Sequence, residues 1–515
     1  MSRSFYITTP IYYPNGQPHL GHVYTTLAAD VLARYHRLAG DTTWFLTGTD
    51  EHGIKMVKTA DELKTTPQAL ADENSSHFSN LWKELNVTND DFIRTSSPRH
   101  KAGAQAIVEQ MLASGDIYLG GYEGWYDEGQ EEFITETEAK AAEYKSAVSG
   151  RPLVRYKEST YFFKLTKYVD RVYSAIEKDE IRVLPASRKN EILSKLKGWN
   201  ADLSISRSSL KWGIEMPNDP EHVLYVWVDA LSNYITALGY GTADDATFKK
   251  FWPADVHLIG KEILWFHAFY WPAMLMSLGL PLPKTLFAHG WWTSEGKKMS
   301  KSMGNFIDLD RVRQTVATYS LGGLRYYLLR AAPFGADLDW KETELTAAYT
   351  ELGNVVGNLL NRTLNMIGKY REGKVPDAPV EGVFNDGADK AVVAELAGFP
   401  AAIAKAYEGL ELQRAALLPV ELARAANVFI DQTQPFKLAK DPEQATRLDA
   451  VLYYCVQVCK SALAGLLPVL GDKAEAGLRQ LNLDPAGQTL AALLETPLPA
   501  GHQLGKAEVL FPKLV

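Results

Sequence analysis

Cysteine is nearly absent from this chain: there are two in 515 residues, Cys455 and Cys459, one helical turn apart in LDAVLYYCVQVCKSALAGLL. That count excludes a disulfide framework, and the apolar helical setting makes them core thiols rather than a redox or metal pair. Also missing is any run of about 18 apolar residues. The start, MSRSFYITTP, lacks a basic segment followed by an apolar core. No membrane span or secretory leader is expected, and the chain reads as cytoplasmic. Basic residues are not in excess, since the net charge is −8; the whole surface is therefore not a nucleic-acid-binding one, which leaves room only for a local basic strip. Repeats and low-complexity tracts are lacking too. What is present, 46% hydrophobic and 23% charged residues, is the composition of a globular protein with large cores, and the length suits about three domains.

An apolar, β-branched run from Phe5 to Ile11 feeds a Pro/Asn/Gly turn, and from His22 the pattern is helical, with Gly40 as its stop. The turn ends in Pro18-His19-Leu20-Gly21-His22. Two imidazoles thus stand at a helix amino end, where unpaired N–H groups and the dipole favour a phosphate; alone, they read equally well as two surface histidines. A second strand, Thr43 to Thr47, ends in Gly48-Thr49-Asp50-Glu51-His52-Gly53. Polar residues just past the carboxyl end of a parallel strand face the ligand crevice, which places Asp50 and His52, although Asp and Gly also build plain turns.

Residues 60 to 115 read as helices, and 116 to 156 as short strands and turns rich in Gly, Glu and Tyr, the mark of an inserted module. The α/β pattern resumes in HVLYVWVDALSNYITALG, read as a strand whose carboxyl end carries Trp227, Asp229 and Ala230 before a helix with Tyr234. It continues in VHLI, followed by Gly260-Lys261-Glu262 and a helix bearing Phe266, His267 and Trp271 at near-helical spacing. Such an aromatic face serves either as core or as a ligand wall. Beyond KTLFAHG, the lysines 297, 298 and 301 lie among Ser and Gly between Gly296 and Gly304, and read as a mobile cationic loop. From Asp308 onward the pattern is helical.

HLGH at the first strand–helix crossover and KMSKS after the last strand, with a split α/β pattern between them, resemble the HIGH and KMSKS signatures of class I aminoacyl-tRNA synthetases. The chain is too short for the large enzymes of branched aliphatic amino acids and lacks the cysteines of a metal-binding cysteine enzyme. From Phe5 to the final LFPKL it is similar to the methionyl-tRNA synthetases. The resemblance implies an α/β Rossmann-like parallel-sheet catalytic domain (1–115 and 223–290), split by a connective-peptide insertion with a knuckle (116–222). A KMSKS and stem-contact region (291–347) and an α-helical anticodon-binding domain (348–515) follow.

It further implies ATP-dependent ligation of L-methionine to tRNA(Met) through methionyl-adenylate, with ATP carrying Mg²⁺. His19, Gly21, His22, Lys298 and Lys301 become the catalytic set. The two histidines and two lysines bind ATP together with Gly260, Lys261 and Glu262, the last standing where the family usually has Asp. Ile11, Tyr13, Trp227, Ala230, Tyr234, Phe266, His267 and Trp271 become the methionine pocket, with Asp50 holding the amino group. Asn358 and Arg362 in GNLLNR, with Phe436 where the family usually has Trp, become the anticodon readers, and Arg311, Arg313 and Arg325 a strip under the tRNA.

At the places of the knuckle's CxxC pairs stand Asp127, Gln130, Ser146 and Ser149. Gln and Ser have almost no zinc affinity, so no structural zinc is expected. A monomer without a membrane partner is expected, since no appended dimerisation domain follows the helices. Two rival readings stay open at this point: another amino-acid specificity within class I, and a tRNA-binding module without catalysis.

Overall fold

A computed structural model of the chain describes residues 3–127, 132–134, 136–299, 305–380, 383–384 and 387–514. Lys301 and Gln130 lie outside the described residues. The chain divides into two compact units: residues 4–29 with 43–289, and residues 1–3, 30–42 and 290–515.

The first unit is built on a six-stranded sheet. Its strands are β1 (Ser4–Tyr12), β2 (Thr42–Thr49), β3 (Asp91–Arg94), β4 (Arg182–Leu184), β5 (Val256–Gly260) and β6 (Thr285–His289), in the spatial order β3-β2-β1-β5-β6-β4. The pairings β2·β3, β1·β5, β5·β6 and β6·β4 are parallel. β1, β5 and β6 are almost continuously buried, as strands covered on both faces must be. Their β-branched and aromatic side chains feed a core that includes Tyr6, Leu46, Ile259, Leu286 and Trp271. Each such residue contributes about 1.5–3 kcal/mol on leaving water.

Two strands were not expected. β3, DFIR, is four residues long with charged ends, too short to display alternation, and it lies inside the stretch read as helical. β4 is three residues long and comes from within 116–222, yet it completes the edge of the parallel sheet. Close approach explains one glycine: a Cβ at Gly48 would fall inside the carbonyl of Ile93 on β3.

Helix α1 (Leu20–Leu38) follows β1 and ends before Gly40, whose φ of +91° stops it; its first half belongs to this unit and its second half to the other. Helix α2 (Pro98–Ala113) packs on α3 (Val226–Thr236). Trp227, Asp229 and Ala230 therefore sit inside a helix rather than at a strand end. The strand before them, Asp219–Leu224, belongs to a small antiparallel sheet with Glu215–Met216 and Ser206–Arg207. The insertion carries an antiparallel sheet whose long hairpin pairs Ile117–Asp127 with Val154–Phe163.

The second unit is mainly helical. Its longer helices are Leu309–Arg330, Glu342–Glu351, Asn358–Arg371, Gly387–Glu408, Leu412–Thr433 and Ala445–Leu470. Both cysteines are buried on the last of these. The stretch Pro442–Leu470 is long and apolar enough to cross a membrane by length and composition, but 94% of its most apolar window is buried inside the fold. Trp292–Ser294 pairs with Lys297–Lys298, so the KMSKS segment begins in a short hairpin.

Candidate active site

The sheet order reverses between β1 and β5, and in such sheets ligands bind beyond the carboxyl ends of the strands at that point. The histidine turn follows β1, Asp50 follows β2 and Gly260-Lys261-Glu262 closes β5. Three of the sequence-selected groups thus share one edge of the sheet.

The turn fixes its own protonation. The backbone N–H of His19 donates to Nδ1 of His22 at 3.2 Å, and the N–H of Gly21 donates to Nδ1 of His19 at 3.1 Å. With both Nδ1 atoms accepting, the proton of each neutral ring is on Nε2. The rings lie 3.8 Å apart between centroids. Burial of His22 against Tyr12 and Phe78, and then the neighbouring His19, hold its pKa well below the ordinary histidine value. A Cβ at Gly21 would come within 3.0 Å of the His19 ring, so glycine here admits the imidazole itself.

Asp50 is nearly buried, and its N–H donates to the carbonyl of Tyr12 at 2.9 Å. The loop around it is held firmly. Glu51 accepts two bonds from Arg94 at 2.6 and 3.0 Å and one from Thr49 at 2.7 Å. Next to it His52 donates from Nδ1 to Asp229 at 2.6 Å, and Asp229 also meets His100 Nε2 at 2.7 Å. Burial raises the Asp229 carboxyl, but the two imidazoles outweigh it and bring the pKa down to about 2. The sequence reading selected His52 and Asp229 without their link and missed His100, which arrives from α2.

The predicted methionine residues form one aromatic wall in part. Trp227 stacks on Phe266 with centroids 3.8 Å apart and planes 9° from parallel. The Tyr234 hydroxyl meets His267 Nε2 at 2.7 Å, and Tyr234 lies 5.9 Å from Trp271. Ala230 is buried on the same helix as Trp227 and Tyr234, and Ile11 packs on the same core. Tyr13 stands apart from that core: it packs on a small cluster with Met56 and Leu70, and its hydroxyl accepts the Met56 N–H at 3.0 Å. The spacing of Phe266, His267 and Trp271 is set by a π-helical turn, Phe266–Tyr270, preceded by a 3₁₀ turn at Lys261–Ile263. The carboxylate of Glu262 folds over Gly260, where a Cβ would collide with it.

At the knuckle, Ser146 Oγ accepts the N–H groups of Val148 and Ser149 at 3.3 and 3.0 Å. A hydroxyl closes the turn by hydrogen bonds, and among the described residues no group of three or more His, Cys, Asp or Glu could hold a metal. Beside the knuckle opens a cavity of 590 Å³ lined by residues including Lys145, Arg155, Trp199, Tyr225 and Tyr270.

In the helical unit, Arg362 donates to Asp431 at 2.6 Å, and Asn358 meets Asn427 at 3.3 Å. Phe436 is 48% exposed just beyond the same helix, after Gln434 with φ of +49°. Asn358 is likewise exposed, and Arg362 partly so. Arg325 does not belong to a surface strip: it is buried and paired with Asp30, because the helix that carries it turns that position inward.

Comparison with known proteins identifies the family. The family model for class I tRNA synthetases (M) matches residues 5–143 and 137–364. Methionine–tRNA ligase 1 of Bacillus cereus is 44% identical over all of this chain and 79% of its own length. The methionine–tRNA ligase of Halalkalibacterium halodurans is 43% identical over 99% of this chain and 78% of its own. The chain belongs to the methionyl class I tRNA synthetases. Among solved structures, the Mycobacterium tuberculosis methionyl-tRNA synthetase in complex with methionyl-adenylate superimposes on this synthetase with a TM-score of 0.92 at 37% identity, covering 99% of this chain and 100% of that one. The apo form of the same mycobacterial enzyme gives 0.85 at 34% identity, covering 99% of this chain and 98% of the other.

Proposed function

We propose that the groups gathered at the carboxyl edge of the sheet carry out the reaction of this family. The enzyme is a methionine–tRNA ligase: it joins L-methionine to tRNA(Met) through methionyl-adenylate, using ATP. In this reading Asp50 holds the α-ammonium, a charge-assisted contact, and Trp227, Ala230, Tyr234, Phe266, His267 and Trp271, with Ile11 and Tyr13, surround the thioether, which gains from aromatic edges.

The methionine carboxylate attacks the α-phosphorus of ATP, and pyrophosphate leaves in line. Such a step needs positioning and charge stabilisation rather than a covalent catalyst. The Nε2–H groups of His19 and His22 are the donors for the charge that develops on the phosphate, with Gly21 admitting the His19 ring. Lys298 and Lys301 accompany the pyrophosphate, and Gly260, Lys261 and Glu262 bind the nucleoside side, Glu262 at the ribose hydroxyls. Mg²⁺ enters with ATP as part of the substrate. A hydroxyl of the terminal ribose of the tRNA, whose anticodon meets Asn358, Arg362 and Phe436, then takes the acyl group from the adenylate, and AMP leaves. The segmentation at 115, 222, 290 and 347, action as a monomer in the cytoplasm, and a zinc-free knuckle belong to the same proposal.

The observation that supports it best is the arrival of the histidine turn, Asp50 and Glu262 at adjacent strand ends flanking the switch point. ATP–pyrophosphate exchange with each amino acid tests it. Exchange with methionine is expected, and exchange driven by leucine or cysteine but not methionine refutes it. Metal analysis of protein purified without added metal tests the knuckle: stoichiometric zinc overturns that part.

A further inference from the structure

His52, His100 and Asp229 are all buried, and they come from three elements: the turn after β2, helix α2 and helix α3. A carboxylate can only accept, so the ionised Asp229 takes its bonds at 2.6 and 2.7 Å from protons on His52 Nδ1 and His100 Nε2. His100 meets α3 again two turns on, where its Nδ1 stands 2.8 Å from the Thr236 hydroxyl. Beside it a Cβ at Gly103 would come within 2.6 Å of Thr236 Cγ2, so the two helices touch closely there. His52 has no such second bond. Its Nε2 is buried without a hydrogen-bond partner among the described residues, and its ring lies edge-on to Trp212 with centroids 5.2 Å apart. An apolar side chain would fill that space without leaving a bare acceptor in the interior, which is costly. What the imidazole adds is one bond, between the turn and α3.

That bond joins the two parts of the proposed methionine site. Asp50 stands two residues before His52, and α3 carries Trp227, Ala230 and Tyr234 around Asp229. Burial, and after it the charges of Tyr12 and Asp50, hold the Tyr234 hydroxyl well above the ordinary tyrosine pKa, so Asp50 lies near that part of the wall. Between Asp50 and His52 the turn is also gripped at its backbone: the Glu51 N–H donates to Thr95 Oγ1 at 2.8 Å, and the Glu51 carbonyl accepts from Trp212 Nε1 at 2.6 Å. We propose that His52 and Asp229 are positioning residues for amino-acid binding: their bond ties the turn that carries Asp50 to the helix that carries the side-chain wall, and so fixes the span between the carboxylate for the α-ammonium and the surface for the thioether. His100 holds the shared carboxylate in place. An error of about 1 Å in such a span is enough to cost up to about 10²-fold in catalysis. The inference rests on the reading of Asp50, Trp227, Ala230 and Tyr234 as the methionine site.

ATP–pyrophosphate exchange by the full chain tests it with His52→Ala, His52→Phe, His52→Asn and Trp227→Ala. His52→Ala is expected to raise the KM for methionine about tenfold, a loss of about 1.4 kcal/mol, with kcat within about threefold and the KM for ATP within about twofold. His52→Asn, whose amide nitrogen is bonded to Cγ as Nδ1 is, keeps the donor to Asp229 and is expected to return the methionine KM to within about threefold of the parent. If His52→Ala does not fold, His52→Phe keeps the volume of the ring without the donor and carries the same expectation. An unchanged methionine KM in the folded variants while Trp227→Ala raises it overturns the role of His52 and Asp229 alone. So does a rise in methionine KM that asparagine fails to rescue, or a fall in denaturation midpoint and kcat with both KM values unchanged, which marks mere packing. Failure of both the alanine and phenylalanine variants to fold while His52→Asn folds assigns the bond to folding and overturns the inference as well. An unchanged methionine KM in Trp227→Ala overturns the wall itself.

Discussion

Arg325 donates to Asp30 at 2.8 Å, and both side chains are buried. Asp30 lies in the second half of α1 and also takes a bond from Arg34 at 2.7 Å. An ion pair of this kind is costly to break from one side, because the remaining charge stays in a poor solvent.

Arg325→Met is therefore expected to cost about 3–5 kcal/mol of stability, read as a lower denaturation midpoint. The double variant Asp30→Leu with Arg325→Met recovers most of it, while the KM for tRNA stays unchanged in the soluble fraction. A selective rise in that KM at full stability would return Arg325 to the tRNA-binding strip.

His22→Ala is expected to lower kcat for pyrophosphate exchange about 10²–10³-fold, the cost of one preorganised donor to a developing charge. The KM for methionine should move little, since the proposed role of the ring is toward the nucleotide. Steady-state exchange kinetics decide, and equal losses in methionine binding and turnover would count against the assigned role.

Acid should weaken the fold in two stages. His267, held near 4 by burial, stays neutral while its unfolded counterpart takes up a proton near 6.5, so its contribution is complete above about pH 6.5 and falls away as pH drops to about 4. Asp229, near 2 in the fold, contributes above its unfolded value near 3.8 and loses that contribution as pH falls toward 2. Urea midpoints at pH 7, 5.5 and 4.5 should decline steadily. A flat profile over that range would contradict the buried neutral imidazole.

Arg362→Ala and Phe436→Ala should each weaken productive tRNA binding by about 1–3 kcal/mol, seen as a higher tRNA KM in aminoacylation, with pyrophosphate exchange untouched. A loss of exchange would instead indicate damage to the fold.

Much of the site was legible because its chemistry is local. HLGH, TGTDEHG and GKE each sit in a single turn after a strand, where periodicity changes abruptly, and the structure delivers all three to strand ends. What was not legible depends on tertiary partners. DFIR has too few residues to show a strand period, and the three residues of β4 show even less. The helix at Val226 follows an apolar run that equally suits a strand. The bond from His52 to Asp229 joins residues 177 apart, a distance no spacing rule spans. Arg325 left no signal: its helix is amphipathic only in outline, and burial there is decided by Asp30.

In the histidine turn, the groups that select the imidazole tautomers are main-chain amides at 19 and 21. Every amino acid except proline carries that hydrogen. The direction in which the two rings offer their protons is therefore inherited from the path of the peptide, and drift in the surrounding side chains leaves it untouched so long as the turn keeps its shape.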